Sequence, residues 1–177
     1  MHRSVIAIVL AAAVSARVLA QQPKPPAVRA DDVRSIDAVV AALYDVISGP
    51  AGQKRDWDRM RSLFVPGARL IPTAIREGGA ETRVRDVDAY IAGATATLER
   101  NGFFEREIFR KTEAFGNIAH VFSTYESRRT AADPAPFARG INSIQLLKDG
   151  DRWWIVTVFW DAERPGNTLP PQYLPAK

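Results

Sequence analysis

The chain of 177 residues has the length of one domain, and its 46% hydrophobic and 25% charged residues are ordinary values for a globular protein. It contains no cysteine, which excludes disulfides, thiolate metal sites, a cysteine nucleophile and a lipoprotein anchor. The sequence has 24 basic and 20 acidic residues, and the leader predicted below carries two of the arginines and no acid. The mature balance of 22 against 20 is a net charge of +2, too small to favour nucleic-acid binding.

Residues 1–20 have the pattern of a secretory signal peptide. Arg3 gives a positive start, residues 5–14 form an uninterrupted apolar run, and Val18 and Ala20 occupy the small-residue positions before a cleavage site. The apolar run is shorter than the roughly 20 residues that a membrane-spanning helix needs. The pattern therefore predicts cleavage after Ala20, a periplasmic or secreted mature protein, and no membrane attachment after cleavage.

Three helices and a strand pair are predicted in the first part of the domain, after a proline-rich linker at residues 21–30. Apolar residues three or four apart indicate the helices, and breaks containing glycine end them. Asp86 is predicted to cap the third helix. The helices are predicted at residues 31–48, 57–64 and 87–99, and the strand pair at 68–75 and 81–84.

Four long strands are predicted in the second part of the domain, because it is rich in β-branched and aromatic residues. Gly116-Asn117 and Asp149-Gly150 are typical of tight hairpin turns. Helices followed by a strand meander predict one α+β domain over residues 31–162, with helices on one face of a curved antiparallel sheet. The strands are predicted at residues 104–115, 118–129, 138–148 and 152–161, and an irregular proline-rich tail at 163–177.

This order of elements, together with three short motifs, resembles the nuclear transport factor 2-like (SnoaL-like) superfamily over about residues 33–162. The motifs are Trp57-Asp58 to Pro66-Gly67-Ala68 at the first strand, Gly116 to Ala119 before a later strand, and Lys148 to Val156 around an Asp-Gly turn. The resemblance implies a cone-shaped, curved antiparallel sheet with three helices packed on its concave face. It also implies a half-apolar pocket between the helices and the sheet.

The resemblance and the alternation of strand side chains together predict which residues line that pocket. Matching the strand at 118–129 to relatives places one of its faces inside. A slip of one residue in register would turn the strand over. The predicted lining residues are His120, Phe122, Thr124 and Glu126 on this strand, Tyr44 on the first helix, Ser143 on the next strand, and Val158 and Trp160 on the last strand.

His120 is the histidine that remains after the leader is removed, and imidazole is suited to proton transfer near neutral pH. It is predicted either to act as a catalytic acid or base or to be a buried histidine held by a neighbouring hydrogen bond. Glu126 lies too far along the strand to touch His120, and Arg139 is its expected partner at the sheet edge. Glu107 is predicted either near His120 or on the surface.

Comparison with catalytic members of the superfamily argues against their known mechanisms. Residues 68–73 contain no acid for a ketosteroid-isomerase-like base, and one histidine cannot supply the pair of a scytalone-dehydratase-like site. One histidine and scattered acids also predict no metal site, and no cofactor is expected. Three hypotheses stay open: a binding module for an unknown small apolar or amphipathic molecule, a lyase or isomerase that uses His120, and a homodimeric interaction protein. The homodimer is predicted to form through the sheet face opposite His120, where Tyr125 is expected.

Overall fold

The computed structural model describes residues 28–176. The predicted signal peptide and most of the proline-rich linker therefore lie outside the described residues, as does Lys177. Among the helices that are described, none has the length and apolar character needed to cross a membrane.

The predicted first helix is in fact two helices. Ser35 has an extended backbone, with φ −150° and ψ 165°, and its hydroxyl accepts a hydrogen bond from the Ala38 amide at 3.0 Å. Serine in this position caps the start of a helix, so a new helix begins after it. The four α-helices are α1 (Ala30–Val33), α2 (Ile36–Ile47), α3 (Trp57–Leu63) and α4 (Val87–Asn101).

Six strands form one curved, unclosed sheet in the order β2-β1-β6-β5-β4-β3. The last four strands lie within one residue of their predicted ends, because tight glycine turns connect β3 to β4 and β5 to β6 and a proline-containing loop separates β4 from β5. The first strand is longer than predicted and begins directly after α3. The strands are β1 (Phe64–Arg76), β2 (Gly79–Thr82), β3 (Phe104–Phe115), β4 (Ile118–Arg128), β5 (Ala138–Asp149) and β6 (Arg152–Ala162).

The sheet is mixed, and in this respect the prediction of an antiparallel sheet is wrong. β1 pairs with β6 in parallel, with Leu70 beside Val158, whereas all other neighbours are antiparallel. The meander begins with β3 at the far edge of the sheet and ends with β6, which lies beside β1 and runs parallel to it. The pairing is irregular between Phe64 and Arg69.

The helices cover one face of the sheet, which we call the inner face, and they meet the opposite set of β4 side chains from the predicted set. Ala119, Val121, Ser123 and Tyr125 are all at most 5% exposed, and the Ser123 hydroxyl contacts α2. His120 therefore lies on the other face, called the outer face. The predicted register is wrong by one residue on β4, and also on β5, where even-numbered residues face the helices.

The proline-rich tail after β6 contains one short regular element. A short 3-10 turn at Pro171–Tyr173 lies against the outer face, where the Thr124 hydroxyl donates to the Tyr173 carbonyl oxygen at 2.6 Å. We call residues 163–176 the C-terminal strap. It covers part of the sheet face that the helices leave uncovered.

Arg55 joins the ends of two helices to the loop between them. Its guanidinium donates to the carbonyl oxygens of Ile47 at 3.0 Å, Gly49 at 2.6 Å, Gln53 at 2.6 Å and Leu98 at 3.3 Å. The side chain is only 6% exposed. Carbonyl groups at helix ends have no partner within the helix, and one buried arginine satisfies several of them here. This contact fixes the ends of α2 and α4 at the mouth of the space between helices and sheet.

Candidate functional site

A cavity of about 120 Å³ lies between the helices and the inner face of the sheet. We call it the inner cavity. An apolar cavity of about 150 Å³ is large enough for benzene, so the inner cavity has the size of a single small ring. Its apolar lining residues are Leu43, Ile47, Met60, Leu70, Phe103, Val158 and Trp160, and its polar lining residues are Tyr44, Tyr90, Glu105, Tyr125 and Asn142.

A wider cleft of about 650 Å³ adjoins the inner cavity along α2 and β3. The two spaces share Tyr44 and Glu105, so these two side chains lie at the boundary between them. The cleft is lined by charged residues of both signs, including Arg110 and Asp133. Glu105 therefore lies between a wide cleft that carries charged residues and a smaller cavity beneath the helices.

The Tyr44 hydroxyl is held in a directed chain of hydrogen bonds. Ser123 donates its single proton to Glu107, so at 2.7 Å it must accept the proton of Tyr44. The Asn142 amide in turn donates to the Tyr44 oxygen at 3.0 Å. The hydroxyl proton of Tyr44 is therefore already used within the protein. Tyr44 fixes the polar wall of the inner cavity and is not a free donor for a ligand.

Glu105 is a carboxyl group at this boundary whose pKa lies well above its ordinary value. Burial raises the pKa of Glu105 to about 7, while hydrogen bonds from Ser127 and Asn142 act in the opposite direction. The Ser127 hydroxyl donates to its Oε2 atom at 2.8 Å. A carboxyl group with this pKa exchanges its proton near neutral pH, and it can act either as a donor or as an acceptor toward a bound molecule.

Two further tyrosines, Tyr90 and Tyr125, line the same cavity. Burial raises the pKa of Tyr90 and of Tyr125, and the nearby charge of Glu105 raises both further. Both phenols are therefore neutral hydrogen-bond donors. Among residues 28–176, no side-chain hydrogen bond involves the hydroxyl group of Tyr90 or of Tyr125. Neither hydroxyl oxygen belongs to the buried polar atoms that lack a hydrogen-bond partner. The Tyr90 ring also meets the Trp160 ring edge to face, with centroids 6.2 Å apart.

The predicted pocket residues divide between the two faces of the sheet. Tyr44, Val158 and Trp160 line the inner cavity. Phe122, Thr124 and Ser143 do not, because β4 and β5 present the opposite alternation to the helices. Three polar residues that line the inner cavity were not predicted from the sequence, because no local motif distinguishes them from other polar residues on strands and helices. They are Glu105, Tyr90 and Asn142.

His120 lies on the outer face, away from the chain of bonds around Tyr44. Its Nε2 atom is 2.9 Å from the Ser143 hydroxyl, and its ring meets the edge of Phe122 with centroids 5.8 Å apart. Lys111 and Glu113 are its other neighbours around a small outer recess. Here His120 is held by a neighbouring hydrogen bond, but it is half-buried and not buried, and it lies on the face opposite to the predicted one.

Glu126 pairs with arginines at the sheet edge, but not with the expected one. It accepts hydrogen bonds from Arg106 and Arg128, while Arg139 binds Glu163 at 2.8 Å. Arg106 and Arg128 approach Glu126 from the neighbouring strand and from two residues along its own strand, whereas Arg139 turns toward the strap.

Glu107 lies neither near His120 nor free on the surface. It accepts from Ser123 and from Arg110 on the inner face. Among the residues that the structure describes, no cluster of three or more histidine and acidic side chains could hold a metal ion.

No protein-family model and no curated protein matches this sequence. Solved structures do resemble it. A protein of unknown function with a cystatin-like fold from Nostoc punctiforme has 14% identity and a TM-score of 0.54, over 72% of this chain and 88% of that chain. A protein from Kribbella flavida has 12% identity and a TM-score of 0.52, over 73% and 88%.

A nuclear transport factor 2-like protein of unknown function from Silicibacter pomeroyi has 19% identity and a TM-score of 0.49, over 72% of this chain and 92% of that chain. At these identities the likeness concerns the fold and not the activity. The fold itself is an α+β arrangement in which helices cover one face of a curved, unclosed six-stranded sheet. The chain therefore shares its fold with the Nostoc punctiforme and Kribbella flavida proteins, the first of which has a cystatin-like fold.

Proposed function

We propose that the domain binds a small, mainly apolar molecule in the inner cavity. The observation that supports this proposal most is the convergence of Glu105, Tyr90 and Tyr125 on one cavity with otherwise largely apolar walls. Small-molecule sites commonly combine an apolar lining with a few placed polar groups. The apolar wall contributes affinity through burial of the ligand surface, and the polar groups orient the ligand.

The dimensions and charges of the cavity indicate the class of ligand. A space of about 120 Å³ accepts a single ring or a short branched chain. Tyr90 and Tyr125 are neutral donors, which suits an uncharged oxygen acceptor such as a carbonyl or hydroxyl group. An anionic ligand is disfavoured, because it would approach the Glu105 carboxylate in a dry environment.

Binding of 4-nitrophenol tests this proposal, because it is one neutral ring with one hydroxyl group and absorbs visible light when ionised. Titration below the pKa of the probe should quench the fluorescence of Trp160, which forms a wall of the cavity. Val158→Trp fills the cavity and should weaken binding by about tenfold or more. Val84→Trp is the matched control, because Val84 is 53% exposed. Equal binding by the wild type and Val158→Trp would refute the inner cavity as the site.

A second function, proton transfer, is favoured by one specific observation. The pKa of Glu105 is raised to about 7 by burial, which suits a general acid or base at neutral pH. We propose that any lyase or isomerase activity uses Glu105 in the role that the sequence analysis gave to His120. The two residues lie on opposite faces of the sheet, so each can be tested separately.

Exchange of the α-protons of 2-cyclohexen-1-one in deuterated water, followed by proton NMR, separates the two residues. Glu105→Gln keeps the shape of the side chain but removes its proton chemistry, and it should lower a protein-dependent exchange rate by about 100-fold. His120→Gln should leave that rate unchanged. The reverse result would assign the chemistry to His120. Absence of exchange with the wild-type protein would leave 4-nitrophenol binding as the test of the binding function.

We also propose that the domain forms a homodimer, but through other contact residues than those predicted from the sequence. Tyr125 lies on the inner face and is 5% exposed, so it cannot form the expected contact. Phe115 and Ile118, at the β3–β4 turn, are 85% and 60% exposed and are better candidates. Light scattering should give the mass of a dimer for the mature chain and of a monomer for Phe115→Asp. A monomeric wild type at high micromolar concentration would refute the dimer.

A further inference from the structure

The C-terminal strap is fixed to the outer face at both of its ends. At its start, Glu163 binds Arg139 at 2.8 Å and accepts from the Leu169 amide at 3.1 Å. Near its end, the Tyr173 carbonyl accepts from Thr124 at 2.6 Å. The Tyr173 ring lies on Phe122, with ring centroids 4.9 Å apart. Because the strap is attached to the sheet near both of its ends, its middle part is held at a defined distance above the sheet.

A cavity of about 370 Å³ lies beneath the strap, between it and the sheet. We call it the outer cavity. It is about three times the size of the inner cavity, and the sheet separates the two. Its apolar surfaces come from both sides. They are Phe122, Ile141, Phe159, Trp160 and Ala162 on the sheet and Leu169, Pro170 and Tyr173 on the strap. Apolar walls on opposite sides suit a flat ring system that contacts both.

The charged groups at the rim of the outer cavity are paired with each other. Asp161 binds Arg164 at 2.6 Å, and Glu163 binds Arg139 at 2.8 Å. The hydrogen bond from the Leu169 amide, and then the Arg139 guanidinium, hold the pKa of Glu163 below its ordinary value, so Glu163 keeps its charge and its partner. The rim therefore offers no unpaired charge from these four residues, and an uncharged ligand fits it best.

The floor of the outer cavity has one hydroxyl group with a free position. The Ser143 hydroxyl has one donor and two acceptor positions, and its bond with His120 Nε2 at 2.9 Å uses one of them. Whichever tautomer His120 adopts, Ser143 can still form a hydrogen bond with a molecule above it. His120 and Ser143 were both predicted as pocket residues from the sequence. In the structure, Ser143 lines the outer cavity and His120 is its hydrogen-bond partner.

We propose that the outer cavity is a second binding site, for an uncharged molecule with a flat ring system and one hydroxyl or carbonyl group bound to Ser143. The site is distinct from the inner cavity, because the two lie on opposite faces of the sheet and, of all their lining residues, share only Trp160. The strap is a part of this site, since six of its residues line the cavity.

The probe for this site is 2-naphthol, a neutral fluorescent molecule with two fused rings and one hydroxyl group. Titration of the full mature chain should show saturable binding through a change in naphthol emission. Ile141→Trp and Leu169→Trp fill the cavity from the sheet and from the strap, and each should weaken binding by about tenfold or more. Ser143→Ala should weaken it by about five- to tenfold, the effect of one hydrogen bond.

Val158→Trp is the matched control, because it fills the inner cavity and should leave naphthol binding unchanged. Thermal melting of each variant by circular dichroism identifies any that fail to fold, and Leu169→Trp, which lies in the strap, serves if Ile141→Trp does not fold. Naphthol binding that is lost in Val158→Trp but kept in Leu169→Trp would refute the second site. No saturable binding by the wild-type chain would refute it as well. Neither result depends on whether 4-nitrophenol binds in the inner cavity.

Discussion

Replacing Glu105 with glutamine should remove a pH dependence of stability that its burial creates. Burial raises the pKa of Glu105 from an ordinary value of 4.5 to about 7. Between these values the folded protein holds a proton that the unfolded chain has already lost. The contribution of Glu105 to the free energy of unfolding should therefore be highest below pH 4.5, fall as the pH rises from 4.5 to about 7, and stay constant at higher pH.

The size of this effect follows from the difference between the two pKa values. At about 1.4 kcal/mol for each pKa unit, the wild type should lose about 3 kcal/mol between pH 4 and pH 8 relative to Glu105→Gln. Glu126 has the opposite sign, because its arginine partners lower its pKa and its contribution is lost only as the pH falls below about 4.5. Its contribution is common to both proteins and cancels in their difference.

Urea unfolding followed by tryptophan fluorescence, at constant ionic strength and at several pH values from 4 to 8, measures this difference. Glu113→Gln is the control, because Glu113 lies on the same strand but is exposed to solvent. The reasoning would be refuted by wild-type and Glu105→Gln curves that stay parallel across the whole range. A difference that grows toward low pH would also contradict it, since the sign would then be reversed.

Further predictions concern packing, a buried arginine and export. Gly140→Ala should destabilise the fold by about 3 kcal/mol in urea unfolding, because its Cβ atom would lie 2.3 Å from the Asp161 carbonyl oxygen. Gly93→Ala, a helical position where only a flexible arginine tip is near, should be neutral or stabilising. Arg55→Met should cost about 3 kcal/mol, because several buried carbonyl groups lose their partner. The mature protein should begin at Gln21 when it is recovered from the periplasm or medium. Amino-terminal sequencing checks this, and an intact leader in a membrane fraction would contradict it.

The positions of the later strands could be predicted because their turns have strong local signals. Gly116 and Gly150 have φ angles of 55° and 58°, a region that glycine enters without strain. Each occurs next to an asparagine or aspartate between runs of β-forming residues, so the hairpin can be located without knowledge of the rest of the fold. The fold class followed from the order of these elements.

The face of β4 could not be predicted, because the strand is covered on both sides. Val121 is buried by the helices, while Thr124 on the opposite face is buried by the strap, and both are 0% exposed. Alternation identifies the inner face only when the other face is in water. The strap has no apolar periodicity, so nothing in the sequence indicated that it would cover the sheet.

Glu105 could not be selected because its properties come from distant parts of the chain. β3 carries Glu105, Glu107 and Glu113, and the sequence around them does not show which carboxyl group is buried. Ser127 and Asn142, which contact Glu105 in the fold, lie on the next two strands. A pKa shift of this kind depends on tertiary packing, whereas a sequence motif reports only local neighbours.

The parallel pairing of β1 with β6 has a consequence for the order of folding. Leu70 lies beside Val158, so one of the earliest strands completes its pairing with the last one. Contacts between such distant segments slow folding, because the chain must close a long loop before they form. During synthesis, one long edge of β1 therefore has no partner until the end of the chain has left the ribosome. The unpaired edge of β1 therefore needs protection from aggregation until the last strand has been made.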